Sequence, residues 1–128
     1  MTDKASIVFL VVDDSATMRR IIKASLAKYG FTNHVEAGDG DEALAKVQAG
    51  QIHCILTDWN MPNCDGMTFI AKVRALPGYA TVPIIMITTE QSKEDVVEAL
   101  THGVNAYIVK PFTPELLKTK LDGLLKLT

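Results

Sequence analysis

Short, continuous apolar runs alternate along the chain with longer stretches whose apolar residues repeat at helical spacing, and few folds accept that pattern. The runs are Ile7-Val8-Phe9-Leu10-Val11-Val12, Ile52-His53-Cys54-Ile55-Leu56, Val82-Pro83-Ile84-Ile85-Met86-Ile87 and Ala106-Tyr107-Ile108-Val109. A weaker, alternating run is Asn33-His34-Val35-Glu36-Ala37. A strand that is apolar on both sides must be covered on both faces, the condition of a parallel sheet lying between helices. The half-polar Asn33–Ala37 run suits an outer strand.

The intervening stretches read as helices with start and stop signals. After a cap at Ser15, Met18, Ile21, Ile22, Ser25, Leu26 and Tyr29 fall on one face, and Gly30 ends the stretch. Ala43, Leu44 and Val47 make a second stripe, ended near Gly50, and Phe69, Ile70, Val73 and Leu76 a third, stopped by Pro77-Gly78. Val96, Val97 and Leu100 make a fourth, with Ser92 and Asp95 spaced as a capping box and Gly103 as the stop. Thr113-Pro114-Glu115 opens a fifth, with Leu117, Leu121, Leu124 and Leu125 on its buried face. Strand and helix thus alternate, which predicts an α/β sandwich on one parallel sheet. A chain of 128 residues is too short for an eightfold barrel, which takes about 250.

Composition narrows the function classes. A 48% hydrophobic chain has the material for a core, so disorder is excluded. With 13 basic and 15 acidic residues the net charge is -2, no global reason to bind nucleic acid or an anionic membrane. No apolar run approaches the roughly 18 residues of a membrane span, and the polar Met1–Ser6 segment is no signal peptide. Cys54 and Cys64 cannot form a disulfide framework or a four-thiolate zinc site. A soluble, cytoplasmic single domain spanning residues 1–128 is expected.

Chemistry concentrates where the strands end. The first strong run leads into Asp13-Asp14, the second into Thr57-Asp58, the third into Thr88-Thr89 and the last into Lys110-Pro111. Parallel strands bring these ends to one edge, the edge at which open α/β sheets carry their sites. Carboxylates crowded there raise one another's pKa, and a hard divalent cation relieves them. Magnesium suits one or two carboxylates with waters and a phosphate oxygen. Taken singly, each residue has an ordinary use: Asp13-Asp14 as a helix cap, Asp58 in a turn, Thr88 as a strand-end hydroxyl, Lys110 in solvent. Taken together they are the parts of one phosphoryl-transfer site.

Val11-Val12-Asp13-Asp14, Asp58-Trp59-Asn60-Met61-Pro62 with Asp65-Gly66, Thr88, and Lys110-Pro111-Phe112 resemble the receiver domain of two-component response regulators. Thr17-Met18-Arg19-Arg20-Ile21, Trp59, and Tyr107 before Lys110-Pro111-Phe112-Thr113 bring the chain nearest to the chemotaxis regulators of that family. The resemblance implies a flavodoxin-like (βα)5 doubly wound sandwich with strand order 2-1-3-4-5, an order taken from the family rather than from the pattern. It implies Asp58 as phosphoacceptor, and Mg2+ held by Asp14, Asp58 and the backbone carbonyl of Asn60, with Asp13 acting through a water. It further implies Lys110 and Thr88 as partners of the phosphoryl group, a cis peptide before Pro111 that aims Lys110 inward, and Asn60 and Glu90 as residues that tune dephosphorylation. By the same resemblance, Thr88 and Tyr107 would form the switch, and Lys93, Val96, Leu100, Tyr107 and Lys120 the partner surface. Without phosphate, Tyr107 is expected to sample outward positions.

The resemblance also implies partners: a chemotaxis-type histidine kinase, a flagellar motor switch protein and a phosphatase, met by a monomer that binds neither nucleic acid nor membrane. A phosphotransfer intermediate or phosphate sink uses the same site and is the alternative. A small-ligand flavodoxin is disfavoured, because Asp13-Asp14 would repel a bound phosphate unless a metal intervened. Ser15, Thr89 and Leu100 depart from the nearest pattern, Leu100 on the output face. His34, His53 and His102 lack metal-ligand spacing and read as structural or surface residues. Cys54 reads as an inert core thiol, and Cys64, in the loop after Asp58, as an exposed free thiol.

Overall fold

The computed structural model describes residues 4–125. After a short 3-10 turn at Lys4–Ser6, the elements are β1 (Val8–Val12), α1 (Ala16–Lys28), β2 (Asn33–Ala37), α2 (Gly40–Ala49) and β3 (Cys54–Thr57). They continue with α3 (Gly66–Arg74), β4 (Ile84–Thr88), α4 (Lys93–Thr101), β5 (Ala106–Val109) and α5 (Pro114–Leu125). All strand pairs are parallel, in the order β2-β1-β3-β4-β5. That is the flavodoxin-like arrangement expected. The half-polar β2 lies at one edge.

Strand alternation explains the two cores. Leu10, Val12, Ile55, Ile84 and Met86 face α2 and α3, meeting Ala43, Val47, Phe69, Ile70 and Val73, together with Ala99 of α4. Phe9, Val11, Leu56, Ile85, Ile87 and Ile108 face the other way, onto Ile22 and Leu26 of α1 and Leu117 and Leu121 of α5. Neighbours along β1 therefore enter different cores, and each from Phe9 to Val12 is buried. Side-chain caps start the helices: Ser15 accepts from Met18 N–H, Asp39 from Glu42, Asp65 from Thr68, Ser92 from Asp95 and Thr113 from Leu116. Each cap is worth about 1 kcal/mol. No helix among the described residues is long and apolar enough to cross a membrane.

The helix stripes need correction where periodicity was the only guide. On α4, Val97 is exposed, Val96 is half-buried, and the one fully covered residue is the small Ala99, while Leu100, which the sequence also places on the output face, is exposed. The helix meets the sheet through its narrowest side chain. Ile21 of α1 is likewise exposed, and Leu124 and Leu125 are only half-buried near the end of α5. The second and third apolar runs enter the sheet two residues late, at Cys54 and Ile84.

Gly66 sits where α3 begins directly beneath the loop that leaves β3. A Cβ there would lie 2.3 Å from the Asp58 carbonyl oxygen and 2.9 Å from Trp59 Cα, both backbone atoms that cannot swing away. Gly123, inside α5, has nothing within 4 Å of a Cβ. Gly66→Ala is therefore expected to destabilise the protein by about 2 kcal/mol through overpacking. Gly123→Ala should stabilise it by about 0.5–1 kcal/mol through helix propensity. Urea denaturation of both variants checks the opposite signs.

Candidate functional site

Main-chain hydrogen bonding carries the sheet one residue beyond its strands and so aligns the polar ends. Asp13 N–H donates to Ala37 O (3.1 Å), Asp58 N–H to Val12 O (3.0 Å) and Lys110 N–H to Thr88 O (2.8 Å). With Val12 paired to Thr57, Asp13 and Asp58 stand side by side on adjacent strands. Asp14 joins them: one carboxylate oxygen from each of Asp13, Asp14 and Asp58 lies within 4.8 Å of the others. Asp13 and Asp58 are buried, at 1% and 8% exposure, while Asp14 is open to solvent.

Lys110 reaches across the gap. Its Nζ donates to Asp13 Oδ2 at 2.7 Å and to Asp58 Oδ2 at 2.9 Å, and the Lys110–Pro111 peptide is cis. The second oxygen of each acid is held by the main chain: Ser15 N–H donates to Asp13 Oδ1 (2.9 Å) and Trp59 N–H to Asp58 Oδ1 (2.6 Å). Burial pushes the Asp13 carboxyl up, and the bonds from Lys110 and Ser15 offset only part of that. Burial alone would lower Lys110, but its bonds to Asp13 and Asp58 outweigh it and raise the ammonium above the ordinary 10.5.

Glu90 gathers the other polar residues. Its carboxylate accepts from Asn60 Nδ2 (2.7 Å), its N–H donates a long bond to Thr88 Oγ1 (3.4 Å), and its carbonyl accepts from the Tyr107 hydroxyl (2.7 Å). Tyr107 is thus held in a half-buried position rather than turned outward. Burial first, then the charges of Asp95, Glu90 and Asp58, push its phenol up to about 12. Thr88 is wholly buried. Val96, Leu100, Tyr107 and Lys120 line a groove of about 570 Å³ between α4, β5 and α5. Lys93 stands outside its wall, at the start of α4.

Some residues belong elsewhere. Cys64 is buried, at 5% exposure, not exposed as expected, because α2 closes over it: Gly40 N–H donates to Cys64 O at 3.1 Å. Cys54 is a core thiol that burial pushes up to about 12. The histidines engage main chain away from the acids: His34 with Phe31 O, His53 with Val8 N–H and His102 with Glu98 O. Ser15 caps α1 and Thr89 is exposed. Three groups at the site had not been singled out for it: the N–H groups of Ser15 and Trp59, which leave no mark in a sequence, and Arg19. Arg19 carried only part of the family resemblance, and nothing in its spacing announces that it contacts the Asp13 carbonyl.

The doubly wound sheet with its acidic trio defines a class of signalling domain, and comparison with known proteins identifies the family. Residues 9–122 match the response regulator receiver domain. The chain is 52% identical over 117 residues to the chemotaxis protein CheY1 of Helicobacter pylori, covering 91% of this chain and 94% of that one. Its structure matches the chemotaxis response regulator CheY4 of Vibrio cholerae with TM-score 0.85 at 38% identity, over 92% and 98% of the two chains. It also matches the receiver domain of a Pseudomonas aeruginosa sensor histidine kinase, which has a magnesium ion coordinated in its active-site cleft, with TM-score 0.86 at 27% identity over 94% and 98%. The chain belongs to the response regulator receiver domain family, and so to the signalling switches.

The central ion pair makes a test of sign. Lys110→Met, without divalent cations, leaves two buried carboxylates uncompensated and should cost about 3 kcal/mol at pH 7. Asp13 then rises further, because burial is no longer opposed by Lys110. A carboxyl raised above its unfolded value opposes folding when ionised, and the opposition fades as pH falls through the folded value toward the ordinary 3.8. The stability gap to wild type should therefore narrow as pH drops from 7 toward 4. A gap that stays constant in denaturation at each pH contradicts this.

Proposed function

We propose that this chain is a stand-alone response regulator that accepts a phosphoryl group on Asp58 from a histidine kinase. The observation that carries this is the Lys110 ammonium shared by Asp13 and Asp58, with Asp14 beside them. The Asp58 carboxylate attacks phosphorus, an O–P bond forms, and the donor's bond to phosphorus breaks with its electron pair leaving on the donor. Lys110 meets the charge on the transferred phosphoryl oxygens, and Thr88 donates its hydroxyl to one of them.

Hard oxygen donors in this number, with Asp14 open for waters and a phosphate oxygen, fit Mg2+. Asp14, Asp58 and the Asn60 carbonyl would hold it, with Asp13 acting through a water. When bound, Mg2+ would supply positive charge beside the phosphoryl oxygens where negative charge builds. Asn60 and Glu90, bonded to each other at 2.7 Å, orient the water that later hydrolyses the acyl phosphate and are open to an external phosphatase.

The output reading follows from Glu90 as well. Thr88 and Tyr107 both bond to it, so a Thr88 hydroxyl drawn to phosphate disturbs the same loop that holds Tyr107. The population of the α4–β5–α5 surface shifts accordingly. Val96, Leu100 and Tyr107, with Lys93 and Lys120 as the basic edge, suit an acidic, partly apolar helix laid into the groove. The chemotaxis names of its relatives support a flagellar motor switch protein as that partner, reached in the cytoplasm by a monomer under a chemotaxis-type kinase. The second reading, a phosphotransfer intermediate or sink, draws on the structural match to a kinase-borne receiver.

Incubation with Mg2+ and a small phosphodonor should add one phosphoryl group, detected by mass, and Asp58→Asn should abolish it. Metal-dependent phosphorylation of Asp58→Asn on another residue overturns the assignment. The double variant Asn60→Leu, Glu90→Leu should lose its phosphate more slowly than wild type, and an unchanged rate removes both residues from turnover. For output, a phosphate mimic should tighten binding of a motor-switch helix by a coupling of about 1–3 kcal/mol, and Thr88→Ala and Tyr107→Ala should reduce it. Unchanged affinity, with ready transfer to a phosphotransfer histidine, favours the sink.

A further inference from the structure

Arg19, on the second turn of α1, makes two contacts of different kinds. Its Nη1 donates to the main-chain carbonyl of Asp13 at 2.5 Å, and its Nε to Glu36 Oε1 at 3.0 Å. Glu36 lies on β2, and its other oxygen takes Lys23 Nζ at 2.6 Å. The guanidinium side chain is only 20% exposed. It therefore ties the peptide between Asp13 and Asp14 to the outer strand, at the point where β1 leaves the sheet.

That peptide is bracketed by restraints on its neighbours, and Arg19 is the side chain that bonds its own carbonyl. The Asp13 N–H is bonded to Ala37, and its carboxylate to Ser15 and Lys110. Its carbonyl, the first atom group of the link to Asp14, is held by Arg19. Asp14 is exposed, so no packing wall fixes where its carboxylate stands. The Asp13–Asp14 peptide sets where the Asp14 main chain stands, and Arg19 is the side chain that holds the carbonyl of that peptide.

We infer that Arg19 is a positioning residue for the divalent-cation site: it presents Asp14 to the metal by holding the Asp13 carbonyl, while Glu36 absorbs its charge. The inference rests on the Mg2+ reading above. Arg19 makes its two contacts from two separate nitrogens of one planar head group, Nη1 to the carbonyl and Nε to the carboxylate, whereas a lysine would have to make both from a single nitrogen. Outer partners that orient metal ligands typically contribute about 10- to 100-fold in metal affinity.

Charge and position predict opposite signs, so the test is decisive. Were Arg19 only a nearby positive charge, its removal would tighten binding of a cation. As a positioning group, its removal weakens it. The measurement is Mg2+ titration of Trp59 fluorescence, since Trp59 is the one tryptophan and its N–H bonds Asp58. Arg19→Met should weaken Mg2+ about tenfold. Lys23→Met, which removes an equal charge from the same Glu36 but no bond to Asp13, should leave the midpoint within about twofold, as expected for a surface charge screened by salt. Arg19→Lys, which keeps the charge and serves as the second variant should Arg19→Met fail to fold, should also weaken binding. Unchanged or tighter binding in Arg19→Met or Arg19→Lys, or equal weakening in Lys23→Met, overturns the inference. A wild-type protein whose fluorescence ignores Mg2+, confirmed by calorimetry, overturns the metal reading itself.

Discussion

Everything at the functional edge depends on one ammonium placed between two buried carboxylates. Asp13 and Asp58 end neighbouring strands, and parallel pairing leaves them no way to separate. Two ionised acids in that position repel and lose hydration at the same time. Lys110, on the far strand of the sheet, supplies the charge that lets both stay. Buried pairs of this sort contribute little net stability compared with apolar packing. What this pair provides is an arrangement: carboxylate oxygens held in place, partly compensated, beside a third acid that faces water.

The main chain completes that arrangement. Ser15 and Trp59 each give an N–H to one acid, so both carboxylates are oriented by backbone at one oxygen and by Lys110 at the other. Ser15 also caps α1, and the capped helix presents its positive end to the same edge. Gly66 lets α3 start against the Asp58 carbonyl, which keeps the loop after β3 short and close. Local rules of helix initiation and the chemistry of the site therefore use the same residues.

Away from the acids the fold becomes less firmly seated. α4 covers the sheet with Ala99 and leaves Val97 and Leu100 to solvent. The loop before it is held by Glu90, which bonds Asn60, Thr88 and Tyr107 through three different groups. An element with few buried side chains opens or shifts at low free-energy cost. A change at Thr88 thus meets a loosely seated helix, and the proposed output surface includes that helix.

Much of this was legible in the residues alone. Apolar runs and helical stripes follow from burial on both faces of a parallel sheet, and caps at Ser15, Ser92 and Thr113 follow from the unsatisfied N–H groups of a helix start. Acids and lysine after apolar runs announced the polar edge, because parallel strands must end together. The tertiary structure alone decided which side of a stripe is covered. Periodicity defines a helix face but not how far the sheet extends beneath it, so Val97 and Ile21 came out exposed and Ala99 buried. It alone decided that α2 closes over Cys64, and that Arg19 spends its donors on a backbone carbonyl and a strand glutamate. Those outcomes depend on contacts between segments distant in the chain and on main-chain atoms common to every residue, and neither leaves a signature in residue order.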